Sequence, residues 1–257
     1  MTAARARLID VAAGTAPLAL IVTLWFALAT FGLAPAALLP APQTVLLRLC
    51  ALLADAQFLS QCAVTLFRLF AGFALAAVLG ITIGIAAAGS RAVGTALTPL
   101  VRVLAPLPKI ALYPAFVLTL GFEHASKIAL VVCDAVFPIL LATYQGAMAV
   151  EPKLVWSARA AGVSHARCLF SVVLRAALPS ILTGCRISLI IACIVVFLAE
   201  MITSTDGLGH VLVRAARNFQ TVDMFVPIIV ISLLGLLLNA GFNMLRGRLL
   251  IGYPEES

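Results

Sequence analysis

Charged side chains inside apolar stretches are the residues of this sequence best suited to handling a charged solute. Five such charges lie within predicted spans: four cations, Arg68, Arg102, Lys109 and Arg186, and one anion, Asp134. An ionised group near the centre of a bilayer costs about 2.5 to 3.5 kcal/mol, so it faces a bundle interior or an aqueous path. Lys109 and Asp134 are the main candidates for lining such a path, and the excess of cations suits an anionic solute. A structural ion pair, or snorkelling to the interface, is the competing interpretation.

The cysteines and histidines form no pattern that supports metal binding. Six cysteines are scattered without a CxxC pair and three histidines lie far apart in the chain, whereas a metal site needs clustered ligands. No GxSxG nucleophile motif and no GxxxxGK[ST] phosphate loop occur. We therefore predict a chain that is not an enzyme, holds no metal or cofactor, and does not itself hydrolyse ATP by that route.

The composition excludes a water-soluble domain. Of 257 residues, 63% are hydrophobic and 11% charged, and the mean hydropathy is +1.16, whereas soluble domains are about 45 to 50% apolar and about 25% charged. The net charge of +7 comes from basic residues that flank apolar segments, as in ordinary membrane proteins. Dense basic runs with interleaved aromatic residues are absent, so we expect no nucleic-acid partner.

Six apolar tracts are long enough to cross a bilayer. About 20 apolar residues span the hydrocarbon core as a helix, and backbone in lipid has to satisfy its own hydrogen bonds. Three tracts carry no charge, at 11–47, 69–90 and 224–245, and three contain single charges, at about 96–121, 126–149 and 170–199. The fold class predicted is an all-α integral membrane protein with six transmembrane helices, the first at about 17–35.

Prolines and glycines within these tracts carry two further predictions. Pro106, Pro108 and Pro114 each remove a backbone donor from the third span, which predicts a kink or a local break. Broken helices commonly mark the solute route in transporters, so we place Pro108 beside it, with a static kink as the alternative. Gly80 and Gly84 form a GxxxG pair that permits close helix contact, either within the chain or between two copies.

The basic residues between spans fix the orientation. One side of the predicted bundle holds nine Lys and Arg residues, and the other holds four, at positions 48, 127, 214 and 217. The positive-inside rule therefore puts both termini and the segment after Glu151 in the cytoplasm. The localisation expected is a multi-pass protein of the bacterial cytoplasmic membrane.

The longest polar interval on the cytoplasmic side, at about 151–168, is predicted to form two short helices. Pro152 suits a first helical turn, Gly162 suits a left-handed C-terminal cap, and Ser164 can cap the next helix. Leu154, Val155, Ala158 and Ala161 are then expected on one face. Such a helix either lies along the lipid headgroups or docks in the groove of a partner protein.

Several motifs in this order resemble the permease subunit of type I ABC importers. They are Ala158-Arg-Ala-Ala-Gly162 and the following Val172-to-Ile181 stretch, Leu39-Pro-Ala-Pro42, Pro106-to-Pro114, Gly121-to-Lys127, Glu200-Met201 and Gly207-Leu-Gly209. The likeness covers about residues 38–250 and is nearest to the branch that imports sulfonates, taurine and nitrate. It implies an N-terminal part at 1–57, a type I transmembrane domain with five core helices at 58–246, and a cytoplasmic tail at 247–257.

The resemblance assigns the cytoplasmic turn to coupling with an ATPase. The positions that match the family's coupling motif are Trp156, Ser157, Ala158, Arg159, Ala160, Ala161 and Gly162. Trp156 stands where the motif has Glu, and Arg175 stands where it usually has Pro. Trp156 is therefore expected to offer an aromatic anchor in place of the Glu contact.

The same resemblance implies the partners and the solute class. They are a second copy of the chain, a cytoplasmic ATPase dimer that binds ATP and Mg²⁺, and an external binding protein that meets the loop at 200–223. The solute expected is a small anion such as a sulfonate, taurine or nitrate, and we place Glu200 on its path together with Lys109, Asp134 and Pro108. A secondary carrier or channel that needs no ATPase is the alternative function.

Overall fold

Long apolar helices, several of them opened by a proline in the first turn, make up the chain. The computed structural model describes residues 3–33, 35, 37–251 and 253, and no β-strand occurs among them. Pro42, Pro114, Pro152 and Pro179 each stand in the first turn of a helix, where the missing N–H has no intrahelical partner to lose.

The helices follow one another with short connections. They are α1 Ala3–Thr30, α2 Pro42–Leu53, α3 Ala56–Gly89, α4 Arg91–Leu104, a 3₁₀ turn Lys109–Leu112, α5 Tyr113–Leu120, α6 His124–Met148, α7 Pro152–Ala160, α8 His165–Cys168, a π turn Leu169–Val173, α9 Leu174–Ala176, α10 Leu178–Thr203, α11 Leu208–Arg217 and α12 Thr221–Leu249.

The chain forms two compact units, the first from residues 1–59 with 211–229 and the second from 60–210 with 230–257. In the first unit, Trp25 stacks on Phe225 with ring centroids 5.6 Å apart, and its indole N–H donates to Pro40 O at 3.1 Å. Arg48 and Asp223 form an ion pair at 2.5 Å. These contacts fasten α1, α2 and the start of α12 together.

The second unit is built on close packing of α3, α6 and α10. A Cβ added at Gly80 would lie 2.9 Å from Ile139 Cβ, and one at Gly84 would lie 2.7 Å from Thr143 Cβ, both on α6. The GxxxG pair of α3 therefore serves a contact within the chain, which settles the alternative left open by the sequence. Fully buried residues along the three helices form the core, among them Leu69, Leu130, Ile139 and Val196.

Four of the described helices are long and apolar enough to cross a membrane, namely α3, α6, α10 and α12. Helix α4 and Lys109–Leu120, two pieces bent by 85°, together pass the same test of length and apolarity and make up to five spans if they form one broken span. The all-helical membrane fold is thus confirmed. The first of the six expected spans rests on α1, whose apolar part Ala19–Thr30 is short, and that span stays a prediction.

Contacts at the two ends of α3 and α6 show that the bent pair traverses the second unit. Near their starts, Arg68 Nε on α3 donates to His124 Nδ1 on α6 at 3.1 Å; toward their other ends, Gly84 of α3 packs against Thr143 of α6. Gly146, late in α6, packs against Ser180 at the start of α10. Because α3 and α6 run in the same direction, the chain between them has to return from one end to the other. The predicted break in the third span is confirmed, with Pro106 and Pro108 in it and Pro114 starting α5.

Candidate functional site

The segment from α7 to α8, here named the coupling elbow (residues 152–168), has the two-helix geometry predicted from its sequence. Gly162 adopts φ +81°, its N–H donates to Arg159 O at 3.0 Å, and the N–H of Val163 donates to Ala158 O at 3.1 Å. These two bonds form a Schellman cap, which requires a left-handed residue at the glycine position. The cap fixes the angle at which the chain leaves α7.

The coupling elbow is exposed to an extent unusual for an ordered helix. No residue of α7 is buried, and the side chains of Leu154 and Trp156 are 48% and 68% exposed. Within α7, Val155 and Ala158 are half-buried, with Val155 packed against the core of the second unit. Farther along the elbow, Val163 is half-buried and Cys168 is buried. Of the four residues expected on one face, Val155 and Ala158 are partly covered by the chain itself, whereas Leu154 and Ala161 on the same side of the helix are exposed.

Beyond the elbow, the chain enters the fifth span later than expected. Ser164 stands at the N-cap position of α8 with extended backbone, but its side chain makes no capping hydrogen bond. A π turn and the three-residue α9 follow, and α10 begins only at Leu178. The expected start near residue 170 is wrong because Pro179 supplies no N–H to continue a helix from the preceding turn.

Lys109 and Asp134 are brought together in the middle of the second unit. Lys109 Nζ lies 3.1 Å from Asp134 Oδ1, donates to Ala105 O at 2.9 Å, and stands 4.7 Å from the centroid of the Phe137 ring. Lys109 is 8% exposed, and the Asp134 side chain is 25% exposed. The ion pair of the competing interpretation exists, and it lies at the break that follows Pro108.

A buried ionic cluster at the other end of the unit was not predicted as a group. It consists of Thr65, Arg68, His124, Glu200 and Asp206. Arg68 Nη1 donates to Glu200 Oε1 at 2.8 Å, Arg68 Nη2 pairs with Asp206 Oδ1, and Thr65 donates to Glu200 Oε2 at 2.8 Å. Arg68 and Glu200 are each only 1% exposed. The available signal for this cluster in the sequence was the presence of two opposite charges, Arg68 and Glu200, near the outward ends of two predicted spans.

The cluster holds the loop between α10 and α11 against α3 and α10. The N–H of Leu208 donates to Thr65 Oγ1 at 2.9 Å, and the N–H of Gly209 donates to Glu200 Oε2 at 3.2 Å. Gly207 has φ +92°, and a Cβ there would overlap the Glu200 carboxyl group. Burial raises the pKa of Asp206, but hydrogen bonding to Arg68 and the charge of Arg68 outweigh it and hold that pKa below its ordinary value.

The contacts of Glu200 are relevant to its predicted place on the translocation path. Both carboxylate oxygens have donors within the protein, and the residue has almost no contact with solvent. Its burial supports a structural role, and the path role is an untested prediction. The path role of three other residues also stays a prediction. Lys109 and Asp134 supply opposite charges, and Pro108 lies at the helix break beside Lys109.

Comparison with known proteins decides the family. Residues 80–250 match the family described as binding-protein-dependent transport system inner membrane component. The chain belongs to this family. The permease is also 33% identical over 232 residues to a Bacillus subtilis permease named SsuC for aliphatic sulfonates transport, covering 90% of this chain and 84% of that one.

Two further likenesses agree with this assignment. The taurine transport system permease protein TauC of Escherichia coli is 33% identical over 238 residues, covering 90% of this permease and 86% of TauC. Among solved structures, an inward-facing MetNI methionine ABC transporter matches with a TM-score of 0.67 at 16% identity, covering 76% of this chain and 97% of that one. The structure of the permease thus has the fold of an ABC importer permease, and its relatives are transport proteins.

Proposed function

We propose that this permease forms the translocation path of an ATP-driven importer and that its coupling elbow is the surface on which a separate ATPase docks. The observation that carries the proposal is the exposure of α7. This helix has no buried residue, and yet the Gly162 cap fixes the angle at which the chain continues from it. A rigid helix that presents Leu154 and Trp156 to solvent suits insertion into a groove of a partner protein.

The orientation of the permease supports the same partner. The positive-inside count puts the elbow in the cytoplasm together with both termini, which is where ATP is available. The sequence holds no phosphate loop of its own, so energy for uphill transport has to come from another subunit. An external binding protein, which the family description supports, and a second copy of the permease complete the proposed assembly.

The docking proposal is tested by co-purification of an ATPase with Gly162→Arg. The Gly162 position has open space where a side chain would project, so the substitution adds bulk and charge to the docking surface while straining one φ angle. We expect the variant to insert in the membrane and to lose the ATPase. Gly247→Arg is the matched control, because Gly247 lies in α12 and also faces open space. Normal ATPase binding by Gly162→Arg would refute the proposed docking site.

The solute proposed is a small anion of the sulfonate class. The relatives named for taurine and aliphatic sulfonates support this class, and the path is proposed to pass Lys109, Asp134 and Pro108. The Lys109–Asp134 pair is partly open to solvent on its Asp134 side, so an anion could compete with the carboxylate for the ammonium group.

Uptake of taurine and of an aliphatic sulfonate into proteoliposomes tests this assignment. Lys109→Ala is expected to reduce uptake of whichever anion the wild type imports while leaving the ATPase bound. Arg102→Ala is the matched control, because Arg102 is a cation of the same tract but is exposed on α4. Unchanged uptake by Lys109→Ala would remove Lys109 from the path.

A further inference from the structure

His165, the first residue of α8, joins the coupling elbow to a core helix through both nitrogens of its ring. Its Nδ1 lies 3.3 Å from Arg159 Nη1 at the end of α7. Its Nε2 lies 3.1 Å from Gly89 O at the end of α3. The residue is thus a bridge between the two helices of the elbow and the helix on which the core is built.

The chemistry of the two partners sets the direction of each hydrogen bond to the ring. A guanidinium group only donates hydrogen bonds, so Nδ1 accepts from Arg159; a carbonyl oxygen only accepts, so Nε2–H donates to Gly89. One neutral tautomer satisfies both contacts at once. Both hydrogen bonds of the bridge therefore have the same direction, with Arg159 donating to the imidazole and the imidazole donating to Gly89.

The carbonyl of Gly89 is a natural attachment point. It belongs to the last four carbonyls of α3, which have no N–H partner within the helix, and the helix terminus carries partial negative charge that favours a donor. Leu169 packs on the same residue, since a Cβ at Gly89 would lie 2.5 Å from Leu169 Cδ1. One hydrogen bond from α8 and one apolar contact from the π turn that follows it thus attach this segment to the end of α3.

The attachment point leads directly to the broken span. The helix α4 begins at Arg91, two residues after Gly89, and runs to the break that precedes Lys109. Gly89 and the start of α4 are separated by a single residue, Ser90, and packed, rigid secondary elements are what carry coupling between distant sites. The other end of α4 borders the turn that positions Lys109 beside Asp134.

We propose that His165 is a positioning residue that ties the coupling elbow to the C-terminal end of α3 and so passes elbow movement to α4 and the broken span. The inference rests on the proposed function, because an ATPase has to move the elbow. It assigns His165 a role that is separate from docking, since the ring points to α3 and α7 of its own chain.

Hydrogen exchange measured by mass spectrometry on the permease–ATPase complex tests the inference without knowledge of the solute. Exchange is compared with and without a non-hydrolysable ATP analogue for the wild type, His165→Leu and His165→Gln. Leu fills similar space without hydrogen bonds, whereas the Gln amide N–H can donate to Gly89 O from the position of Nε2. Protection of residues 152–160 from exchange reports docking of the ATPase. The nucleotide-dependent change in exchange at residues 91–112 reports transmission of elbow movement to α4 and the broken span.

We expect His165→Leu to keep the protection of 152–160 and to lose about 3- to 10-fold of the nucleotide-dependent change at 91–112, the effect of removing one hydrogen bond from a two-state coupling. His165→Gln is expected to restore most of that change. A wild-type response in His165→Leu would overturn the inference, as would loss of docking in that variant or failure of His165→Gln to restore transmission. Absence of protection at 152–160 in the wild type would instead refute the proposed function, and the inference with it.

Discussion

The two ends of the second unit are held together in opposite ways. At one end, the ionic cluster joins α3, α6, α10 and a loop around Arg68 and Glu200, which are almost fully buried, with Asp206 and His124 half-buried beside them. At the other, the coupling elbow is held by Val155, the buried Cys168 and the His165 bridge, and its charged residues lie in solvent. Removing one partner of a buried ion pair is far more costly than removing an exposed one. The cluster therefore stabilises the fold, while the elbow leaves its surface free for a partner.

The largest effect should follow from breaking the cluster. Glu200→Ala leaves Arg68 buried without its main counter-ion, and loss of one partner of such a pair costs about 3 to 5 kcal/mol. Thermal unfolding of the purified permease in detergent measures this as a lower Tm. Glu151→Ala is the matched control at the elbow, because Glu151 pairs with Lys153 at 3.8 Å with both side chains exposed. Equal Tm values for the two variants would contradict the distinction between the two ends.

The next largest effect on stability is the difference between alanine substitutions at two glycines that both have a left-handed backbone conformation. Gly207 has φ +92° and Gly162 has φ +81°, so alanine at either position costs about 1 to 2 kcal/mol of backbone strain. At Gly207 the new Cβ would also overlap the Glu200 carboxylate, whereas at Gly162 it would meet nothing. We expect Gly207→Ala to lower the Tm clearly more than Gly162→Ala. The reverse order would mean that the loop is not clamped on Glu200.

A smaller effect is expected from a substitution in the elbow, and it concerns the affinity for the ATPase and not the stability of the fold. Trp156→Ala removes an aromatic side chain that is 68% exposed, so the Tm should not change. Truncating an aromatic anchor of an interface typically weakens binding by about 2 kcal/mol, or roughly 30-fold. Titration of the detergent-purified permease with its ATPase measures the Kd. An unchanged Kd would show that Trp156 lies outside the interface.

The smallest effect concerns pH. Because the folded pKa of Asp206 lies below its ordinary value of 3.8, its contribution to stability is complete above that value and is lost only as the pH falls through the folded pKa. Asp206→Asn should therefore lower the Tm equally at about pH 7 and about pH 5. A difference between wild type and variant that already shrinks at pH 5 would contradict the ion pair with Arg68.

The same two regions show what the sequence could predict. The elbow is made by local signals, Pro152, Gly162 and the intervening small residues, which act within a few positions of one another and give the observed helix ends. The break in the third span is equally local, because each proline removes its own N–H. These features were therefore accessible without a structure.

The ionic cluster depends on contacts between residues far apart in the chain. Arg68 meets Glu200 across 132 positions and Asp206 across 138, and no local preference fixes such a meeting. Which residues of α7 the chain itself covers, Val155 and Ala158 but not Leu154 and Ala161, likewise depends on the core beneath the helix. His165 is a further example, since its partner Gly89 lies 76 positions away.

Site-specific photocrosslinking tests the central claim most directly, namely that the coupling elbow contacts the ATPase. A photoreactive phenylalanine is placed at Trp156 and, as the control, at Phe122, an aromatic residue of similar exposure, 65% against 68%, on the opposite side of the membrane by the charge count. The account predicts a crosslink to the ATPase from position 156 and none from position 122. A crosslink from position 122, or none from position 156 in an assembled complex, would contradict it.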